Sequence, residues 1–289
     1  MEKTLFITKP SQLKYMSSRY ARLYYGQEFC ERLIPSARDL IKVLSFVKKR
    51  RVSFSLVTPY LTDSGLKKLI PLLVLLKNRK IYCEIVINDW GVLNLINRQY
   101  PNLSPVLGRL LTKQKRGPQL MRLLRRKTKL HFLKNPQNPK IKYLVFQKKL
   151  PLDLDPYYKG SNSSSVPIIH NFLVRQRIQR IELDNVGQGL FLELPKDRVS
   201  ASLYLPYVCI ATTFFCLTAG CDQKEGLLLK RKSCKRQCQR YTFKLRHKTM
   251  PKVIYLKGNT QFYKNTQFQF RQWQEMGIDR IVYEPVIPI

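Results

Sequence analysis

Strands and helices alternate in the stretch 52–97, which runs VSFSLVTPYLTDSGLKKLIPLLVLLKNRKIYCEIVINDWGVLNLIN. Val52–Val57 and Ile81–Ile87 are short apolar runs with several β-branched residues, and they predict buried strands. Thr62 or Asp63 is placed to cap a helix between these strands, and a further helix follows the second strand. This strand–helix–strand–helix order predicts an α/β domain with a mainly parallel sheet.

The same alternation continues on both sides of this stretch. Ser36 and Asp39 form a capping-box pattern that opens an earlier amphipathic helix. Later strands are predicted at Arg180–Leu183, Ser202–Val208, Val253–Leu256 and Arg280–Tyr283, and a late helix at Asn265–Met276. Repeated strand–helix units are compatible with a (β/α)8-type barrel, complete or distorted, whose active site lies at the carboxyl ends of the strands.

No break between two domains is evident, so we treat 1–289 as a single barrel domain. The segment from Lys134 to Ser165 is rich in Pro, Asn, Lys and Ser, which predicts a loop or an insertion. With 44% hydrophobic and 11% aromatic residues, the composition indicates a packed globule rather than a disordered chain.

The charge is strongly positive, with 53 Lys and Arg against 18 Asp and Glu, for a net charge of +35. Such a field attracts polyanions, and RNA is therefore a candidate partner. The alternative is a basic solvated surface without a partner, because the basic residues are spread along the whole chain.

A stretch of 23 uncharged residues, 199–221, is long enough to cross a bilayer. Pro206 and several hydroxyl residues interrupt it, and its Val, Tyr, Thr and Phe residues favour strand, so we predict no membrane span. The amino-terminal residues lack the apolar run of a signal peptide, which makes the cytoplasm the expected location.

Four cysteines, Cys216, Cys221, Cys234 and Cys238, follow one another with the spacing C-x4-C-x12-C-x3-C. In a chain without secretory features, such a group is more often a metal site than a disulfide framework. Zinc takes four Cys or His ligands, and an iron–sulfur cluster takes four thiolates, often with one remote ligand. Nearby Lys and Arg residues favour thiolates in either case, so the spacing leaves both groups open.

The other three cysteines have different surroundings. Cys83 lies within an apolar strand and is predicted to be a buried hydrophobic residue. Cys209 ends a strand and is either core or ligand, and Cys30 is an isolated thiol in an early loop.

Three groups of motifs resemble the U32 peptidase (collagenase-like) family. They are Tyr25-Gly26-Gln27-Glu28-Phe29-Cys30, then Asn88-Asp89-Trp90-Gly91, then Cys209-x6-Cys216-Leu-Thr-Ala-Gly followed by Cys234-x3-Cys238. The similarity is closest to the smaller iron–sulfur members that act in oxygen-independent ubiquinone biosynthesis. The glycine-rich family signature before the first late cysteine is absent here, where the chain has Leu203 to Cys209 instead.

The resemblance implies a TIM-barrel-like fold and a 4Fe–4S cluster held by Cys30, Cys216, Cys234 and Cys238, with Cys221 as the alternate third ligand. It further implies oxygen-independent hydroxylation of a quinone precursor or an RNA base, and a related U32-like partner subunit. Two other hypotheses remain at this point: a zinc-stapled, basic RNA-binding protein without catalysis, and a collagenase-like peptidase.

Several polar residues are candidates for a site at the strand ends. Asn88 and Asp89 follow a strand, and Asp89 is either an acid/base group or the cap of the next helix. A predicted substrate rim comprises Arg109, Lys113, Lys115, Arg116, Asn259 and Gln261. The three histidines lack the H-E-x-x-H spacing of a zinc peptidase.

Overall fold

Eight parallel strands close into a barrel in the computed structural model, which describes residues 1–124, 127–148, 158–159, 162, 165–195, 198–222 and 234–289. The described strands are β1 (Glu2–Ile7), β2 (Arg22–Gly26), β3 (Ser53–Val57), β4 (Cys83–Ile87), β5 (Leu103–Leu107), β6 (Lys129–Lys134), β7 (Lys142–Gln147), β8 (Arg180–Asp184), β9 (Ser200–Leu205), β10 (Tyr207–Thr212), β11 (Phe243–Leu245), β12 (Ile254–Lys257), β13 (Thr260–Lys264) and β14 (Ile278–Tyr283). The barrel order is β1-β2-β3-β4-β5-β8-β9-β14, and β14 pairs with β1. The predicted (β/α)8-type fold is confirmed.

Helices cover the outside of the barrel. They are α1 (Ala37–Arg50), α2 (Asp63–Asn78), α3 (Trp90–Gln99), α4 (Leu120–Leu124), α5 (Pro167–Arg175) and α6 (Phe270–Glu275). As predicted, the Ser36 side chain accepts a hydrogen bond from the backbone N–H of Asp39 and caps α1, whose apolar stripe is buried. The predicted late helix is shorter than expected, since α6 begins only at Phe270.

The barrel is distorted in two of its connections. A 3-10 helix at Pro10–Tyr15, rather than an α-helix, joins β1 to β2. Between β8 and β9, the described residues 185–195 and 198–199 contain no helix. Trp273 of α6 packs into the main apolar core and is 2% exposed.

Two insertions interrupt the strand–helix alternation. The first, between β5 and β8, carries an antiparallel hairpin of β6 and β7. The predicted loop from Lys134 to Ser165 is therefore partly strand, and its residues 149–157, 160–161 and 163–164 lie outside the described part of the chain.

The second insertion, between β9 and β14, contains an antiparallel sheet in the order β10-β13-β12-β11. The predicted strand Ser202–Val208 is in fact two strands, because the chain leaves the barrel at the cis Leu205–Pro206 peptide and enters this second sheet. The predicted strand Val253–Leu256 corresponds to β12 and also belongs to the second sheet rather than to the barrel.

The barrel interior is more polar than the branched aliphatic filling usual for this fold. Side chains alternate along each strand, so one set faces the helices and the other fills the lumen. An inner aromatic and aliphatic cluster includes Phe6, Tyr24 and Tyr204. Beside it, the buried Arg280 contacts Glu84 at 2.7 Å and the Tyr24 hydroxyl at 2.7 Å, and that hydroxyl donates to Glu182 at 2.9 Å.

Within the described residues, no helix has both the length and the apolar character needed to cross a bilayer. The uncharged stretch 199–221 instead supplies β9 to the barrel and β10 to the second sheet, followed by a loop.

Candidate cysteine-lined site at the barrel mouth

The direction of the loop after β2 depends on a glycine. Gly26 has φ of +144°, and a β-carbon at this position would lie 2.1 Å from the carbonyl oxygen of Val57. Only glycine fits a backbone this close to the next strand. The chain therefore turns over the carboxyl end of the barrel and places Glu28, Phe29 and Cys30 there.

Four thiols from distant parts of the chain line one cavity at this end of the barrel. Cys30 follows β2, Cys216 follows β10, and Cys234 and Cys238 lie next to or within the 3-10 helix Gln237–Gln239. The cavity has a volume of about 250 Å³, and we call it the cysteine cavity. Cys221 is not among its lining residues, although its sequence position is between two of them.

The walls of the cysteine cavity join the barrel to the second sheet. Phe29 and Phe262 pack edge to face with centroids 5.2 Å apart, in a cluster that also holds Cys209, Cys238 and Ile289. Asn259 donates to the carbonyl oxygen of Phe29 at 2.7 Å and to that of Thr213 at 2.6 Å. These contacts hold the Cys30 loop against the segment that carries Cys216.

Burial raises the pKa of two of these thiols, Cys30 and Cys238. It raises the pKa of Cys30 to about 11, although a backbone hydrogen bond from Arg32 opposes the shift. The pKa of Cys238 is also raised, chiefly by burial, while the Gln239 side-chain amide donates to its sulfur and opposes this. A metal bound here would have to displace these protons, so its affinity would rise with pH.

Three basic residues and one acidic residue, Glu31, lie around the thiols. Arg32 and Arg236 line the cavity, and Lys257 is close enough to Cys238 to influence its pKa. Positive charge of this kind stabilises thiolates and an anionic metal–thiolate group.

Four thiols are a donor set that either a zinc ion or a 4Fe–4S cluster can use. Thiolates around one zinc ion lie only about 4 Å apart, given a tetrahedral Zn–S distance of about 2.3 Å. Across the part of the chain that the structure describes, no three His, Cys, Asp or Glu side chains are arranged to hold one ion. The four thiols line a cavity of about 250 Å³.

A second pocket, of about 560 Å³, adjoins the cysteine cavity. Tyr60 and Phe214 line both spaces, with ring centroids 4.4 Å apart, and so form the wall between them. The Tyr60 hydroxyl is held by the side-chain amide of Asn259, at 2.6 Å. We call this space the mouth pocket; its polar lining comprises Asn88, Asp89, Lys113, Gln114, Arg116, Thr212 and Thr213.

The candidate acid/base residues Asn88 and Asp89 both line the mouth pocket, but both are engaged in structural bonds. The Asn88 amide donates to the carbonyl oxygen of Thr58 at 2.9 Å, and its oxygen accepts from the backbone of Leu110 at 3.1 Å. Asp89 accepts from the backbone N–H groups of Gly91, Val92 and Leu61. The helix-cap interpretation of Asp89 is confirmed.

The predicted rim is divided by the structure. Lys113 and Lys115 are exposed, and Lys115 lies over the Tyr158 ring at 4.8 Å. Asn259 is a buried link in the cavity wall, and Gln261 is half-buried within β13, opposite Leu256. Neither of these last two lies at the end of a barrel strand, because β12 and β13 belong to the second sheet.

Arg109 is not a rim residue, which corrects the prediction. It has no exposed surface, and its guanidinium reaches Glu28 at 2.8 Å, Asp184 at 2.9 Å and Glu284 at 2.6 Å. Its carbon Cζ also lies 4.0 Å from the Tyr204 ring centroid. We call Arg109 and its three carboxylates the carboxylate plug; all four residues lie at or just after the carboxyl ends of barrel strands.

Arg116, another predicted rim residue, supports the plug. Its Nε lies 2.6 Å from Asp184, and its guanidinium donates to the carbonyl oxygen of Arg109. Burial raises the pKa of Glu284 to about 8 and raises that of Glu28, with Arg109 opposing both shifts. Sequence reasoning missed these carboxylates. They could have been recognised as acidic residues at or just after the ends of three strands, in a chain that has only 18 Asp and Glu residues.

No protein-family model matches the chain, and no curated protein matches it significantly. Among solved structures, a U32 peptidase, Mk0906, is 10% identical with a TM-score of 0.45, and the match covers 100% of this chain and 94% of the Mk0906 chain. YKL-39 bound to chitooligosaccharides is 10% identical with a TM-score of 0.39, covering 98% and 92%. A glycoside hydrolase family 18 N-acetylglucosaminidase from Paenibacillus barengoltzii is 7% identical with a TM-score of 0.37, covering 98% and 94%. Similarities at this level carry no information about the residues of the site.

Proposed function

We propose that Cys30, Cys216, Cys234 and Cys238 hold a 4Fe–4S cluster, and that the mouth pocket binds the molecule on which the protein acts. One observation supports this most strongly: Cys30, more than 180 residues before the other three, lines the same cavity as they do. Cys221, the alternate ligand, is absent from that lining. Residues so distant in sequence share a cavity only when the fold brings them together.

When bound, such a cluster supplies electron transfer or an iron at which a substrate group can bind. The chain's own residues would tune it. Arg32 and Arg236 offset negative charge, and the Gln239 amide donates to the Cys238 sulfur. Tyr60 and Phe214 line both this region and the mouth pocket, and their rings are in contact.

The mouth pocket suits a flat, negatively charged molecule. Tyr60, Trp90 and Phe214 provide ring faces and edges, and the exposed Lys113 provides a positive charge that can bind an anionic group. Asp89 is committed to three backbone N–H groups, so we assign it no proton transfer. These features agree with oxygen-independent hydroxylation of an aromatic quinone precursor or of an RNA base, with a related partner subunit where the reaction needs one.

Anaerobic purification with iron, sulfide and zinc analysis tests the proposal. We expect about four irons per chain and absorbance at about 400 nm. Cys30→Ser, Cys216→Ser, Cys234→Ser and Cys238→Ser should each lower the iron content, whereas Cys221→Ser and Cys83→Ser should retain it. Cys83 is a suitable control because it is a buried thiol in the barrel wall, away from the cavity.

Thermal unfolding of each apo variant, followed by circular dichroism, separates loss of the cluster from loss of the fold. Full iron content in folded Cys30→Ser would refute the ligand set. A colourless protein with one zinc per chain would refute the cluster and support a structural metal instead.

A further inference from the structure

The hairpin of β6 and β7 exposes a large apolar surface. Its register pairs Leu130 with Phe146 and Phe132 with Leu144, and directly paired residues of an antiparallel ribbon share one face. These four side chains are 59%, 56%, 66% and 59% exposed, respectively. We call them the apolar hairpin face. An exposed contiguous patch of this kind marks an interaction site.

The charged side chains of the hairpin segment are all basic. Residues 127–148 contain six lysines and no Asp or Glu. Lys134 and Lys142 are paired in the register and continue the apolar hairpin face toward the turn, where both are exposed. Lys148 lies over the Phe146 ring at 5.7 Å, at the other end of the face. A partner that complements this surface must combine negative charge with an apolar interior.

Hydrogen bonds of Asn135 stabilise the turn of the hairpin. The Asn135 side chain donates to the Tyr143 hydroxyl at 2.8 Å, and its backbone N–H donates to the carbonyl oxygen of Ile141 at 2.9 Å. The Asn135 side-chain oxygen also accepts from the backbone of Gln137 at 2.8 Å. The apolar side chains are thus presented on a preformed ribbon, which lowers the entropic cost of binding.

We propose that the apolar hairpin face binds the surface of an anionic lipid bilayer. Its apolar side chains would enter the boundary between headgroups and acyl chains, while Lys134, Lys142 and Lys148 contact the acidic headgroups. Within the described residues, β6 and β7 pair only with each other. The backbone groups at the outer edges of this hairpin need water, so it lies at the interface and does not enter the hydrocarbon core.

The composition of the face favours lipid over nucleic acid. Single-stranded RNA binds to sheets through aromatic side chains on which its bases stack. Two of the four residues here, Leu130 and Leu144, are aliphatic and offer no ring for stacking. Aliphatic and aromatic residues contribute alike when the partner is an acyl chain, since burial depends on apolar area.

Sedimentation with vesicles tests the proposal on the full chain. We expect Phe132→Ser/Phe146→Ser to bind vesicles of phosphatidylcholine with phosphatidylglycerol at least about tenfold more weakly than wild type, at unchanged net charge. The matched control is Tyr82→Ser/Ile168→Ser, which removes two side chains that are 79% and 75% exposed elsewhere. It should bind like wild type. Lys134→Ala/Lys142→Ala should weaken binding to these vesicles about tenfold and leave binding to pure phosphatidylcholine unchanged.

Insertion is measured separately from adsorption of a basic protein. Phe132→Trp should show fluorescence that brominated lipids quench, after subtraction of the wild-type signal from Trp90 and Trp273. Unchanged vesicle binding by Phe132→Ser/Phe146→Ser, or an unquenched Trp in vesicle-bound protein, would overturn the proposal. It would equally be overturned if that double variant lost affinity only for an RNA oligonucleotide, or only the ability to dimerise.

Discussion

Removal of the Arg109 guanidinium should destabilise the protein strongly. Arg109→Met keeps the length and much of the volume of the side chain but leaves Glu28, Asp184 and Glu284 without their common cation. All four groups have no exposed side-chain surface, and the three N–O distances are 2.6 to 2.9 Å. Removing one partner of a buried ion pair costs about 3–5 kcal/mol, because the other charge remains buried and uncompensated.

The loss should also depend on pH. Without Arg109, Glu28 and Glu284 need protons to remain buried, whereas Asp184 keeps its contact with Arg116. The folded variant therefore holds more protons than its unfolded chain does above about pH 4.5. Raising the pH then favours the unfolded state. We expect the stability of Arg109→Met, relative to wild type, to fall as the pH rises from about 5 to about 8.

Urea unfolding at several pH values, followed by circular dichroism, measures both effects. Arg271→Met is the control, because the Arg271 side chain is 96% exposed and pairs with Glu275 at 3.4 Å only along α6. It should cost no more than about 0.5 kcal/mol. A loss below about 1 kcal/mol for Arg109→Met, or one that is equal at pH 5 and pH 8, would refute the role of Arg109 as the cation that stabilises these buried carboxyl groups.

Two further predictions concern single side chains. Asp89→Ala should lower the free energy of unfolding by about 1 kcal/mol because α3 loses its cap, whereas Asp89→Asn should cost little. Thermal unfolding compares the two variants with wild type. Equal stability of wild type and Asp89→Ala would contradict the cap. Burial raises the pKa of Glu182 to about 7 in the folded protein, above its value of about 4.5 in the unfolded chain. The buried carboxylate therefore costs no stability below pH 4.5, an increasing amount between pH 4.5 and pH 7, and its full amount above pH 7. Glu182→Gln should therefore gain stability over wild type as the pH rises from about 5 to about 8, and a difference that does not change with pH would contradict this.

Much of the outer barrel follows from local patterns. The capping box at Ser36, the apolar stripe of α1 and the strand–helix order of 52–97 all depend on residues close in sequence, and all appear as predicted. Elements that depend on distant partners were missed or misplaced. β12 has a strand pattern, but only its pairing with β11 and β13 places it in the second sheet.

The candidate site divides in the same way. Spacing among the late cysteines indicates a metal site. The position of Asp89 between a strand and a helix predicts its role as a helix cap. Only the tertiary structure shows that Cys30 lines the same cavity as Cys216, Cys234 and Cys238. It also shows that Cys221 is not among the residues lining that cavity.

Arg109 shows the reason most clearly. In the sequence it is one of many basic residues, and nothing local distinguishes it from the exposed Lys113. Its three carboxylates come from positions 28, 184 and 284, which meet only because the barrel closes and brings their strand ends together. Periodicity and capping thus determine where strands and helices form, whereas the charge state and burial of each polar side chain are decided by neighbours that only the closed barrel supplies.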